Sequence, residues 1–339
     1  MSWVKRPDVL VLGGGGTLGE AWLRALLAGL DAETGWDLRE CDAFVGTSAG
    51  SIVAAVVAAG RRPQAARGVA EGWERAAADG ARAPSADGGQ AGRDGILAAV
   101  GRRAGAAALS VSAPIAPVAA ARLEPGGAAL RAAVLRRGRR GTRDIPHLRH
   151  ALDRLGSSFD GRLRVAAVDL RSGRRVIFGA PEAPPAGVTE AVLASCAVPW
   201  VFRPVTIGGR EYVDGGAWSA ANLDAAPVQA GTEVLCLNPT ASPRLAVDRF
   251  GAMRAFAGAG AATEALLLRR RGARVRIVAP DAASVDAIGP NLFDVRRRTE
   301  VESAAYRQGR ALASRQCQRS VVPGGDVRPD RCGPGSAAD

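Results

Sequence analysis

The chain reads as an α/β protein: a mostly parallel sheet with helices on both faces. Three observations predict this. Short apolar, strand-type runs alternate with helical segments along most of the chain. Two glycine-rich turns each follow such a run and open such a helix, so both fall at the C-terminal edge of the sheet, where open α/β sheets carry their sites. Apolar residues make up 47% of 339, with mean hydropathy +0.02, enough for a packed core and too little for a membrane bundle.

The elements follow in order. Asp8–Leu12 is a β-type run that ends in Gly13-Gly14-Gly15-Gly16-Thr17-Leu18-Gly19. Leu18–Leu30 puts Leu23, Leu26, Leu27 and Leu30 on one helical face. Cys41–Val45 is a second apolar strand and runs into Gly46-Thr47-Ser48-Ala49-Gly50. Ser51–Ala59 continues as an apolar, nearly uncharged helix, the pattern of burial on all sides. Pro63 opens a further helix to about Ala78, at a first turn where proline is tolerated. Residues 80–95 have loop composition, and 96–143 are rich in Ala, Gly and Arg; together 80–143 read as a variable insert, a mobile and partly helical lid. A helix is expected from Asp144 to Leu155, and a strand pair at Leu163–Leu170 and Arg175–Phe178 around Ser172-Gly173. Thr189–Ala197 is a small-residue helix stopped by Pro199. Tyr212-Val213 lead into Asp214-Gly215-Gly216, and Val234–Leu237 is a strand. Leu245–Arg271 is a long helix, Arg274–Val278 a strand and Phe293–Gln316 a final helix. The organisation is a core over 8–240, a C-terminal strand and helices packing on it over 241–320, and a flexible Gly/Pro/Asp-rich tail over 321–339.

Composition narrows the function. There is no run of about 18 charge-free apolar residues, and the apolar stretch after Lys5 and Arg6 is too short for a signal-peptide core, so a cytoplasmic protein, at most peripheral to a membrane, is expected. Net charge is +12, and Lys5 is the only lysine among 45 basic residues. The arginines are scattered along the chain, which argues against specific nucleic-acid binding and leaves open a transient association with an anionic membrane surface. Five cysteines, Cys41, Cys196, Cys236, Cys317 and Cys332, include no CxxC and fit no zinc spacing; the first three sit in apolar runs and behave as buried small hydrophobes. No metal or other cofactor is expected.

Gly46–Gly50 matches G-x-S-x-G. A sharp strand-to-helix turn there lifts the Ser48 hydroxyl above the sheet at a helix N-terminus, and the glycines Gly46 and Gly50 let strand and helix approach. A plain N-cap serine also fits the pattern taken alone. Gly14–Gly19 fits G-x-G-x-x-G. It reads either as a dinucleotide-binding turn, or as an oxyanion hole in which backbone N–H groups of Gly14, Gly15 and Gly16 meet developing negative charge, with Gly19 closing the motif. No acidic residue ends an obvious second strand about 20 residues on, and a nucleophile turn follows closely, so the oxyanion reading is favoured. A serine nucleophile needs a base. His147 and His150 are the only histidines; both precede Asp214 and sit at a helix start. Lys5 lies before the first strand. A carboxylate remains, and Asp214 follows a β-type run and precedes Gly215 and Gly216, which would let its loop fold tightly against the serine turn.

These pieces, in this order, resemble the patatin-like phospholipase family. GGGGTLG is similar to its oxyanion element, GTSAG to its nucleophile elbow and DGG to its D-G-[AG] motif. Ala194-Ser195-Cys196-Ala197-Val198-Pro199-Trp200-Val201-Phe202-Arg203-Pro204 resembles the A-S-x-A-x-P-x-x-F-x-P segment before that motif. The family's arginine just after the glycine-rich element is not evident; Glu20 follows Gly19, and the nearest arginine is Arg24. The resemblance implies a three-layer α/β/α fold and a Ser48–Asp214 dyad that hydrolyses lipid or ester substrates through an acyl-enzyme, without metal. Ser48 and Asp214 must then stand side by side. The Asp214 pKa would be raised by desolvation and lowered by hydrogen bonds from Ser48 and nearby N–H groups, with the balance open. The competing expectations are a catalytically weak protein of the same fold that binds anionic membranes, and a nucleotide-binding α/β protein.

Overall fold

The computed structural model describes residues 5–70, 127–137, 140–241 and 251–320, with backbone alone for 251–259 and 315–320. β1 (Val9–Leu12) is the centre of the molecule. Its four apolar residues are buried on both faces, as the continuous pattern of a parallel central strand requires. It pairs in parallel with β2 (Ala43–Thr47), Val9 opposite Ala43, and with β7 (Glu233–Leu237), Val9 opposite Val234. β3 (Leu163–Asp169) continues the parallel set beyond β2, and β8 (Arg274–Val278) continues it beyond β7. β4 (Arg175–Phe178) folds back antiparallel on β3, as the Ser172-Gly173 turn predicts. β6 (Arg210–Asp214) also joins β3 antiparallel, and β5 (Val205–Ile207), which the sequence reading does not contain, forms a hairpin with it. The hydrogen-bonded path through the sheet runs β5-β6-β3-β2-β1-β7-β8, with β4 also paired to β3.

Alternation along the strands sets the layers. Leu10, Leu12, Phe44, Val165, Leu235 and Leu237 face one side. There they meet α1 (Gly16–Thr34), α2 (Ala49–Ala58), α4 (Pro146–Leu155), α5 (Val188–Ser195), α7 (Ala282–Ile288) and α8 (Arg298–Ser320). Val9, Val11, Val45, Val234 and Cys236 face the other side, against Ala261, Ala265 and Leu268 of α6 (Gly251–Arg270). α3 (Gly127–Arg137) covers the β3–β6 end of that second face: Leu135 packs with Val168 and Val213, and the Arg131 guanidinium lies 4.2 Å from the Trp218 ring centroid. The result is helices, sheet, helices in three layers.

Local chemistry explains the boundaries. α1 ends at Gly35, whose left-handed backbone (φ 66°) returns its N–H to Asp31 O. α2 is buried from Ala49 to Val57, as its uncharged sequence predicts. Residues 63–65 form a 3₁₀ turn before the helical stretch 66–70; the expected continuation to Ala78 lies outside the described residues. α4 starts at Pro146 rather than Asp144, with proline in its first turn. α7, absent from the sequence reading, is capped by Asp281, whose side chain accepts the Ser284 N–H at 2.9 Å. α8 begins at Arg298, later than Phe293, because Asp294 first caps a 3₁₀ turn at Val295–Arg297. Most of the expected lid, 80–126, lies outside the described residues, as do 138–139 and the tail from 321. Of the described part of that segment, 127–137 is helical and seated against the sheet, where α3 abuts the Ser172-Gly173 turn, and 140–143 is extended, with Arg143 bridging to Phe202. Among the described residues, no helix is long and apolar enough to cross a membrane.

Candidate active site

The site is built on one edge of β3. β2 runs along that edge until Thr47 stands opposite Ala166. β6 arrives from the other direction on the next residues, with Asp214 opposite Ala167. β4 occupies the opposite edge over Val165–Val168, so β2 and β6 share an edge and meet end to end. Thr47 and Asp214 thereby stand opposite consecutive positions of β3, and Ser48, the residue after Thr47, is brought beside Asp214.

Ser48 leaves β2 with φ 50° and ψ −125° and is followed at once by α2. This is a strained region for a residue with a β-carbon, and it is the geometry of a nucleophile elbow. Two glycines make the turn possible. A Cβ on Gly50 would lie 2.0 Å from Leu12 O, and one on Gly46 2.4 Å from Ser51 Cα, so neither position admits a side chain. The elbow is tied down by Ser51, whose hydroxyl donates to Ser48 O at 2.6 Å, and by Ser195, whose Oγ accepts the Ser48 N–H at 2.8 Å.

Asp214 is buried, with 4% of its surface exposed. Its Oδ1 accepts the Gly216 N–H at 2.7 Å, its own N–H donates to Ala197 O at 2.9 Å, and Gly215 passes directly over Ala166 O. Burial pushes the Asp214 carboxyl up to about 7, against the pull of hydrogen bonds from the Ser48 side chain and the Gly216 N–H. Desolvation therefore wins the contest that the sequence left open.

The glycine-rich turn lies beside Ser48: a Cβ on Gly14 would sit 3.3 Å from Ser48 Cβ. The three candidate donors are not equivalent. The Gly14 N–H already donates to Ala220 O at 2.8 Å. Gly15 and Gly16 stand at the start of α1, where first-turn amides have no intrahelical acceptor. Gly19 packs in the first turn against Pro239. Leu292 O receives the Thr17 hydroxyl and the Leu18 N–H and holds this turn from above.

Two side chains outside the predicted site organise it. Asn222 is fully buried at φ 49°, and its Nδ2 donates to Thr47 Oγ1 (3.0 Å), Ser219 O (2.7 Å) and Gly215 O (3.3 Å). It thus links the residue before Ser48 to the residue after Asp214. Nothing in Ala221-Asn222-Leu223 signals this. Ser195 does carry a signal, its place in the A-S-x-A segment, but its bond to Ser48 is legible only in three dimensions. His147 and His150 are exposed on the first turns of α4. Arg24, the arginine nearest the glycine turn, is buried in ion pairs with Glu20 and Glu302. Among the described residues, no group of three or more His, Cys, Asp or Glu is placed to hold a metal ion.

The fold and this arrangement define a three-layer α/β/α protein with a serine elbow facing a buried aspartate. Residues 10–227 match the family described as patatin-like phospholipase, and the chain belongs to that family, which makes it a lipid hydrolase by class. The crystal structure of VipD from Legionella pneumophila is similar, with TM-score 0.43 and 14% sequence identity over 92% of this chain and 67% of that one. None of the curated protein sequences matches.

Proposed function

We propose that the chain is a serine-dependent lipid acyl hydrolase with Ser48 as nucleophile and Asp214 as general base. One observation carries this reading: the ends of β2 and β6 meet on β3, so that a strained serine hydroxyl acts on a buried carboxylate. Ionised Asp214 takes the Ser48 proton as Oγ attacks the ester carbonyl carbon. The carbonyl oxygen becomes an oxyanion, held by N–H groups at the start of α1, from Gly15 and Gly16, and by that of Ala49 at the start of α2. Collapse breaks the ester C–O bond, and the proton on Asp214 passes to the departing alkoxide. Water then gives a proton to Asp214 and attacks the acyl-Ser48; release of the carboxylic acid returns the proton to Oγ. The arginine excess suits the anionic surface on which phospholipid substrates lie.

The test is a lipid-class panel, phospholipids and neutral esters, run with wild type and Ser48→Ala. Hydrolysis by wild type and a loss of several orders of magnitude in the variant is expected. Turnover retained by pure Ser48→Ala protein would refute the mechanism. The double variant His147→Gln/His150→Gln keeps its activity on this reading; a folded but dead double variant would return a histidine to the mechanism.

A further inference from the structure

Ser195 is a fully buried hydroxyl among apolar neighbours, Leu193, Ala194, Cys196 and Ala197. Alanine would satisfy the packing there, so the hydroxyl needs a polar reason. The reason lies across the site. The Ser48 amide sits one residue beyond the β2–β3 ladder, which ends at Thr47, and one residue before α2. Neither element supplies it with an acceptor, and a buried amide needs one. Ser195 Oγ is that acceptor, at 2.8 Å. Two residues further on, Ala197 O accepts the Asp214 N–H at 2.9 Å. A single three-residue stretch at the end of α5 is thus bonded to the backbones of both Ser48 and Asp214, from chain positions far from the first and shortly before the second.

The geometry points to Ser195 as a positioning residue: its hydroxyl holds the strained Ser48 backbone in the conformation that aims Oγ at Asp214. Its bond is to the Ser48 backbone amide, so it acts through Ser48. The inference rests on the hydrolase reading above and adds to it a group whose loss slows chemistry without weakening substrate binding. Without the acceptor, the Ser48 amide is unpaired and the elbow relaxes toward a less strained φ, carrying Oγ away from the carboxylate.

The experiment uses the full chain, a short-chain p-nitrophenyl ester and a fluorophosphonate probe. Label taken up by wild type and lost in Ser48→Ala supports the underlying reading; a wild type that takes up no label sinks that reading and the role of Ser195 together. With labelling established, Ser195→Ala is expected to lower kcat and the labelling rate about 10- to 100-fold, the effect of one lost hydrogen bond, while KM stays within about twofold. Val192→Ala, a cavity variant in the same helix, is expected to lose stability but keep kcat. Ser195→Cys, which fills the volume with a weak acceptor, gives the same readout if the alanine variant does not fold. Folded Ser195→Ala or Ser195→Cys with wild-type kcat and labelling rate would overturn the proposal. So would an equal loss of kcat in Val192→Ala.

Discussion

At the scale of single residues, the site is a set of costs held in place by neighbours. Ser48 stores backbone strain of about 1–3 kcal/mol at φ 50°. Glycine tolerates that conformation, so Ser48→Gly should be more stable than Ser48→Ala by about 1 kcal/mol in urea unfolding, with both expected to be inactive under the proposed mechanism; equal stabilities would mean the strain is not there. Asp214 carries the second cost. Its folded pKa, about 7, lies above the value of an exposed aspartate, so the native state binds more protons than the unfolded state between about pH 4 and 7. This contribution to stability is complete at about pH 4 and below, and is lost as pH rises through 7. Asp214→Asn removes the buried charge while keeping an Oδ1 acceptor for the Gly216 N–H. It should therefore stabilise the protein by up to about 4 kcal/mol at pH 8 and hardly at all at pH 4, and under the proposed mechanism it should abolish hydrolysis. If Asp214 is the base, as proposed, the acid limb of wild-type kcat/KM is expected near pH 7, because a base works only when ionised. Unfolding curves and rate profiles across that window check both statements.

At the scale of elements, close approach is the constraint. The start of α2 passes so near the end of β1 that Gly50 has no room for a methyl group against Leu12 O. Gly50→Ala must push helix and strand apart, and a loss of about 3 kcal/mol or more is expected, together with fluorophosphonate reactivity, since the elbow moves with the helix. A variant with wild-type melting and labelling would show that α2 slides freely on the sheet. The same logic governs the end of β6, where Gly215 crosses Ala166 O so that Asp214 reaches the tip of β2. The glycines flanking Ser48 and following Asp214 are therefore steric requirements of one junction.

At the scale of the whole molecule, the site depends on elements far along the chain. The 10–227 match ends before β7, yet β7 and β8 complete the sheet and α8 lies along α1, the helix that opens with Gly15 and Gly16. Beside the close packing of Gly29 and Gly309, the α1–α8 contact holds a largely buried network of two acids and two bases. Arg298 reaches Glu20 Oε2 at 2.6 Å and Glu302 at 2.9 Å, and Arg24 pairs with both acids. Burial pushes the Glu20 carboxyl upward, against the pull of Arg298 and Arg24. Breaking such a network is costly because the partner charge stays buried. Arg298→Ala should lose about 3–5 kcal/mol in urea unfolding, and Glu20→Gln in that background should recover part of it. An Arg298→Ala loss under 1 kcal/mol would mean that water reaches the network and screens it.

Local features were legible in the order of residues. Apolar runs between glycine turns marked β1, β2, β3, β4, β7 and β8, and an uncharged helix marked the burial of α2. The glycine spacing around Ser48 marked one residue of the pair, because a tight turn can be built from few residue types; Asp214 was reached by setting aside His147, His150 and Lys5 and by the resemblance of Asp214-Gly215-Gly216 to a family motif. The short hairpin strand β5 and the seven-residue α7 lacked length enough to declare themselves. The remaining features are non-local and arise from the folded arrangement. The head-to-head meeting of β2 and β6 on one edge of β3, the capture of the Gly14 amide by Ala220, and the bonds of Asn222 and Ser195 across the site all join residues whose separation along the chain carries no signal. The Asp214 pKa belongs with them. Its sign is a balance between desolvation and two hydrogen bonds, and burial is a property of everything packed around a residue, so the balance existed only once the chain had folded.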